Sequence, residues 1–330
     1  MSEISPATGK LLALSMLKGV GPATLRKMAG MANFETATPE SMSYQFPANS
    51  TILRDVQSWT QALEGAEKQI EEAERYGAQI LSPLDPDYPT LLAATKDDPF
   101  LLFVRGALAL EPNKSVAVIG TREPTKHGIL IAQRISQYLA EQGWSVVSGL
   151  AKGCDAIAHQ AALDNDGHTV AVLAHGLHTV SPKANAILAE DILNKGGALV
   201  SEYRFGVEPR PEFFVKRDRT QAGLAQGVVM IQSDLKGGSL HASRAALDYG
   251  RWLAAPYPTD LDRINSEPKV QANLMFADGS EEDRMGLLRC PAPALERLIV
   301  LRSREDYSKI LANKTSEKKI TPAPIQGGLI

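Results

Sequence analysis

From Ser115 onward the chain alternates short β-branched apolar runs with stretches long enough for a helix, and this alternation constrains the fold more than any other feature. The runs at 116–119, 145–147, 169–173, 198–201, 228–231 and 252–255 are nearly continuous in apolar character, as strands covered on both faces must be. The intervening segments 128–142, 155–165, 184–194, 217–225 and 240–249 predict crossover helices. Strand, crossing helix and parallel strand in repetition define an α/β architecture. The expectation is a Rossmann-like, doubly wound, mostly parallel sheet over residues 111–290.

The N-terminal part is different. Leu11, Leu12, Leu14, Leu17, Leu25, Met28, Ile52, Val56 and Trp59 recur at helical spacings, which predicts a small all-helical domain over residues 1–76. Residues 77–110 carry Ile80 and Leu81, three prolines at 83, 86 and 89, and the apolar run 100–104, so they read as a connector with one or two short strands. After Pro256 the pattern weakens, although 269–276 is a candidate edge element, and residues 291–330 are expected to be a tail, partly helical and then disordered.

Composition limits the functional classes. In 330 residues the formal charge is −3, so a nucleic-acid partner would have to be held by a local basic patch and not by a generally cationic surface. Two cysteines, Cys154 and Cys290, make neither a disulfide framework nor a metal-binding spacing. The segment MSEISPATGK has no basic stretch leading into an apolar one, and no apolar run reaches the roughly 18 residues of a membrane span, so a cytoplasmic location is expected.

In an open parallel sheet, ligands bind to loops leaving the carboxyl ends of the strands. The first such loop, with Gly120, Thr121 and Arg122, offers a close backbone approach, a hydroxyl and a planar cation, as a phosphate site requires. It matches neither the dinucleotide fingerprint nor the Walker A loop, and an ordinary strand-to-helix turn has a similar composition. The second holds Ser148, Gly149, Lys152 and Gly153 before a helix start whose amides suit an anion; Asp155 there reads as a cap, hydrogen-bonded to His159 one turn on.

The third segment holds Lys216, Arg217 and Arg219. If a helix begins near Arg217, these cations oppose its dipole and invite a phosphate, with neutralisation by Asp218 in a solvated turn as the equal alternative. The fourth loop brings Gly237, Gly238 and Ser239. Together the loops predict a rim for several phosphates in a row. A further turn with Lys18, Gly19 and Gly21 has the look of a helix-hairpin-helix and is a secondary candidate for DNA contact beside a plain glycine turn between core helices.

The segments VAVIGTREPTKHG, VVSGLAKGCDAIAHQAAL, TVAVLAHGL, ALVSEYRFG, RDRTQAGLAQGVVMIQ and GGSLHASRAALDYGR resemble, in order and spacing, the DNA-processing protein A (DprA/Smf) family, from about Asp85 to Pro256. The helical N-terminus is similar to that family's sterile-alpha-motif-like region. The resemblance implies a single-stranded-DNA-binding protein without catalysis, metal or cofactor, which dimerises and helps to load the RecA recombinase during transformation or repair. By position it implies DNA contacts from Arg122, Lys152, Gly153, Arg217, Arg219, Gly238 and Ser239. The family's Arg-Asn-Arg stands here as Arg217-Asp218-Arg219, its aspartate after the third strand as His178, and its usual tyrosine-proline as Ser181-Pro182. The added carboxylate should weaken phosphate affinity at close range. The family's frequent C-terminal winged helix is not expected in residues 291–330.

Two other classes compete. Related Rossmann-like proteins of the lysine-decarboxylase-like (LOG) group hydrolyse nucleoside monophosphates through P-G-G-x-G-T-x-x-E. The segment from Lys236 to Arg244 keeps paired glycines but has no glutamate for proton transfer, which leaves nucleotide sensing as the alternative. A protein-binding adaptor is the other, and it predicts no salt-sensitive DNA affinity.

Overall fold

In the first parallel strand, Val116 and Val118 pack on one face of the sheet, and Ala117 and Ile119 on the other. This two-sided burial is repeated in its neighbours. The structure, a computed structural model, describes residues 4–109 and 111–312.

The helical part comprises α1 (Pro6–Met16), α2 (Pro22–Ala29), α3 (Pro39–Gln45), α4 (Ser50–Arg54) and α5 (Val56–Arg75). Then follow β1 (Ala78–Leu81), α6 (Thr90–Ala93), β2 (Leu102–Gly106), β3 (Ser115–Ile119), α7 (Lys126–Glu141), β4 (Ser145–Ser148), α8 (Cys154–Asp164), β5 (Thr169–Leu173), α9 (Ala186–Asn194), β6 (Ala198–Ser201), α10 (Pro211–Gly223), β7 (Gly227–Met230), α11 (Leu240–Asp248) and β8 (Trp252–Pro256). The chain continues through α12 (Asp260–Ile264), α13 (Gln271–Asp278), α14 (Glu281–Leu288), β9 (Leu298–Leu301) and α15 (Tyr307–Ala312).

All the strands lie in one sheet of order β1-β2-β6-β5-β4-β3-β7-β8-β9. From β6 to β9 every pairing is parallel, and β2 and β1 add on antiparallel beyond β6. The Rossmann-like, mostly parallel sheet is thus present. Helices α7 and α8 cover one face, and α10, α11 and α13 the other.

Three boundaries differ from expectation. The strands of the connector segment belong to the main sheet, because the exposed edge of β6 accepts β2 (Phe103 opposite Ser201, Gly106 opposite Ala198). Residues 269–276, the candidate edge element, form α13 and the short turn before it, and Ala272 and Phe276 pack on the sheet face shared with α10 and α11 and not at the sheet edge. Within the stretch expected to be a tail, β9 pairs parallel with β8, and Leu301, Tyr307 and Ile310 are buried against the α7 face. Residues 313–330, including the end expected to be disordered, lie outside the described residues.

The helical part docks through the residues ahead of β2. Asp85 accepts hydrogen bonds from Ser5 and Thr8 of the first helical turn, both at 2.6 Å. Buried Asp98 accepts from the Tyr88 hydroxyl and pairs with Arg26 of α2 at 3.4 Å. Among the described residues no helix is long and apolar enough to cross a membrane.

Candidate nucleic-acid interface

Strands β3 and β7 are neighbours, yet the chain leaves them toward opposite ends of the sheet: β4, β5 and β6 lie to one side, β8 and β9 to the other. A crevice must open at their carboxyl ends. There a cavity of about 370 Å³ is lined by Gly120, Thr121 and Arg122 after β3, by Arg217 of α10, and by Gly237, Gly238 and Ser239 before α11. These seven of the expected residues are brought together.

The first loop is held by its neighbours. Thr121 donates its amide to the Gln232 carbonyl (2.9 Å), accepts from the Cys154 amide (3.1 Å), and its hydroxyl accepts from the Glu123 amide (3.2 Å). The Thr121 side chain is therefore a turn brace. Arg122 is exposed, has no ion-pair partner among the described residues, and lies with its guanidinium 5.5 Å from the centre of the Phe214 ring. Gly153 meets this loop from the other side with φ +75°, and a β-carbon there would come within 2.5 Å of the Thr121 and Arg122 backbone. Only glycine permits that approach.

Arg217 has another role than the one expected. The helix begins at Pro211, not near Arg217, so the cation sits mid-helix with only 4% of its surface exposed. Its Nη1 donates to the Gly149 carbonyl and, at 2.7 Å, to the Val172 carbonyl, tying together the ends of β4 and β5. A β-carbon at Gly149 would collide with the guanidinium, so glycine is required where this side chain crosses. Arg217 Nε also lies 3.2 Å from Asp218 Oδ1, in ionic contact without an aligned hydrogen bond.

Two carboxyls, the buried Asp155 and the partly buried Asp218, share that one cation. Burial raises Asp155 above the usual carboxylate range while the Arg217 charge opposes the rise. Asp218 is pushed up to about 7 by burial, against the pull of Arg217 and with the help of the nearby Asp155 charge. Arg217 is thus largely spent on internal charge, and the direct phosphate contact expected of it is withdrawn. Asp155 is not the cap residue, because α8 starts at Cys154; its carboxylate accepts from the Ala151 amide at 3.4 Å. His159 bonds Thr169 Oγ1 at 2.7 Å instead of Asp155, and burial, then the Arg217 charge, pushes its imidazole down to about 3.

Other expected residues separate in the same way. Ser148 is buried and donates to the Val118 carbonyl at 2.6 Å, so it is a core bond. Arg219 turns away from the cavity to Glu202 (2.6 Å) and the Asp97 carbonyl. Lys152 and Lys216 are exposed and outside the cavity lining. Lys18 and Gly19 are exposed on the α1–α2 turn, where Gly19 has φ +82° and the Gly21 carbonyl accepts from the Thr24 and Leu25 amides; none of the three lines the cavity.

The lining also holds Phe214, Asp218 and His241, which the sequence reading did not single out as ligand groups. The signal for Phe214 is its spacing. It stands three residues before Arg217 and four before Asp218, so helical register brings all three to one side, but only once the helix is started at Pro211. The amides of Gly238 and Ser239 have no partner among the described residues, and Ser239 makes no capping bond, so this loop presents free donors to the cavity.

Residues 79–279 match the sequence model of the DNA recombination-mediator protein A family. Protein Smf of Escherichia coli is 41% identical over 176 residues, 53% of this chain and 47% of that protein, so the matched part spans about half the relative's length. The crystal structure of DNA processing protein A from Streptococcus pneumoniae superposes with a TM-score of 0.67 at 26% identity, covering 95% of this chain and 99% of that one. DNA processing protein A from Helicobacter pylori, studied for its single-stranded DNA binding mode, gives a TM-score of 0.54 at 28% identity over 62% of this chain and 89% of its own. With the family match spanning most of the sheet and the cavity at its switch point, this chain is a member of the DNA recombination-mediator protein A family.

Proposed function

We propose that the chain binds single-stranded DNA across the carboxyl ends of β3 and β7 and acts as a recombination mediator, presenting the strand to a RecA-type recombinase. The observation that carries this is the exposed, unpaired Arg122 lying over Phe214 at a cavity lined by the free amides of Gly238 and Ser239. A phosphate would take the guanidinium edge and the amides, and an unstacked base would stack against the Arg122–Phe214 pair, whose ring also has the Arg217 guanidinium 6.0 Å from its centre. Bases inside a duplex are stacked on one another and cannot reach that pair, which selects for the single strand. The Helicobacter pylori relative, described by its single-stranded DNA binding, supports the same reading. Lys152 and Lys216 would continue the cationic rim outside the cavity, with Gly153 offering its backbone beside Lys152, and the Lys18–Gly21 turn would add a secondary backbone contact.

Fluorescence anisotropy with a labelled oligonucleotide at two salt concentrations tests this. Arg122→Ala should weaken single-strand binding by roughly tenfold or more, the loss of one charge-assisted contact, and lower the salt slope by about 0.7. Duplex of the same sequence should bind more weakly. Unchanged affinity in the variant, or a flat salt response in the parent, refutes the assignment. The reading also includes a homodimer, and a monomer in sedimentation at working concentration would remove that part.

A further inference from the structure

Outside the cavity a second group of cations faces solvent without counter-charge. His241 lines the cavity from α11, and Arg244 follows it by three residues on the same side of the helix. Arg244 Nε donates to the Leu287 carbonyl at 3.0 Å, at the end of α14, two residues before the exposed Arg289. Neither arginine has an ion-pair partner among the described residues. Partial burial first, and then the charges of Arg244 and Arg289, hold the His241 imidazole below its ordinary value; burial and Arg289 do the same to Arg244.

Capping of α14 explains the Nε bond of Arg244, but it explains neither the remaining guanidinium donors nor Arg289. That residue closes α14 in the left-handed region, φ 52° and ψ 45°, where glycine is favoured and a branched-off side chain adds strain. A long cation is thus kept where the backbone would prefer none.

We propose that Arg244 and Arg289, joined to the cavity through His241, form a second phosphate subsite that takes the backbone of the same strand further along. The inference rests on the DNA-binding reading and deepens it: it gives the strand a direction, from the β3 loop over α11 toward the end of α14. An incoming phosphate would relieve the repulsion between the two guanidinium groups and meet a bidentate donor set.

Arg289→Gly separates binding from folding, because glycine suits the left-handed position. Its thermal midpoint should be unchanged or higher. With an oligothymidylate of about 20 nucleotides its affinity should fall roughly threefold to tenfold and its salt slope by about 0.7, whereas one of about 4 nucleotides, confined to the cavity, should bind as to the parent. Parent-like affinity and slope with the long oligonucleotide overturn the subsite and leave the DNA-binding reading intact. If the parent binds no single strand at all, that reading falls, and inorganic tripolyphosphate becomes the probe. Thermal stabilisation of the parent that Arg289→Gly loses then upholds the subsite, and equal or absent stabilisation in both overturns it.

Discussion

Arg217→Ala is expected to lower the unfolding free energy by about 3–5 kcal/mol, the usual consequence of removing one partner from a buried ionic group. Among the described residues the guanidinium is the only cation within the Asp155–Asp218 group that is itself buried, and its removal also takes a donor from the Gly149 and Val172 carbonyls. Arg122→Ala, at an exposed position, should by contrast stay within about 0.5 kcal/mol of the parent. Urea titration of the two variants decides between a keystone and a surface ligand at position 217. If Arg217→Ala unfolds at the parent's midpoint with the same slope, the internal role assigned to Arg217 is wrong.

The second large effect is in the pH dependence of Asp218→Asn. The folded-state carboxyl titrates at about 7, against about 3.9 when unfolded, so the native state holds the proton more tightly. Ionisation of Asp218 therefore costs stability, beginning as pH rises above about 4 and complete above about 7. The Asn variant, which resembles the protonated acid, should match the parent at pH 4 and exceed it at pH 8 by on the order of 3 kcal/mol. Strand affinity should follow the same group, because Asp218 lines the cavity proposed to take the phosphate. Between pH 6 and 8 the parent should lose roughly tenfold in affinity and the variant little. Gln221, which donates to Asp218 Oδ1 at 3.2 Å, accommodates either side chain. A parent and variant with parallel stability profiles from pH 4 to 8 would refute the shifted titration.

The sheet was legible because its strands are buried on both faces, which leaves runs such as residues 169–173 with no polar interruption beyond a strand-end threonine. The loops after β3 and before α11 were legible for the related reason that glycine and hydroxyl groups at a strand end have few other uses. The cationic triplet was not. A guanidinium that ties two strands together and one that meets a phosphate are the same residue in sequence, and their difference lies in depth, which helical register alone reveals. Pro211 after an extended Arg210 is a helix-start signal, but Phe213, Phe214 and Val215 resemble a strand and hide it. Ser148 shows the same ambiguity: at a strand end its hydroxyl faces either the crevice or the core, and here it is the core. The apolar run of β9 is overshadowed by the charges that follow Ser303, and only its register with β8 makes it a strand.

Lys96, Asp97 and Asp98 are gripped from two directions: Arg26 of α2 holds the Lys96 carbonyl and Asp98, while Arg219 of α10 holds the Asp97 carbonyl. One side of that grip is the helix that carries Phe214 and Arg217. The crevice helix and the N-terminal helices are therefore moored to the same three consecutive residues, so a substitution that loosens this short segment would slacken both at once.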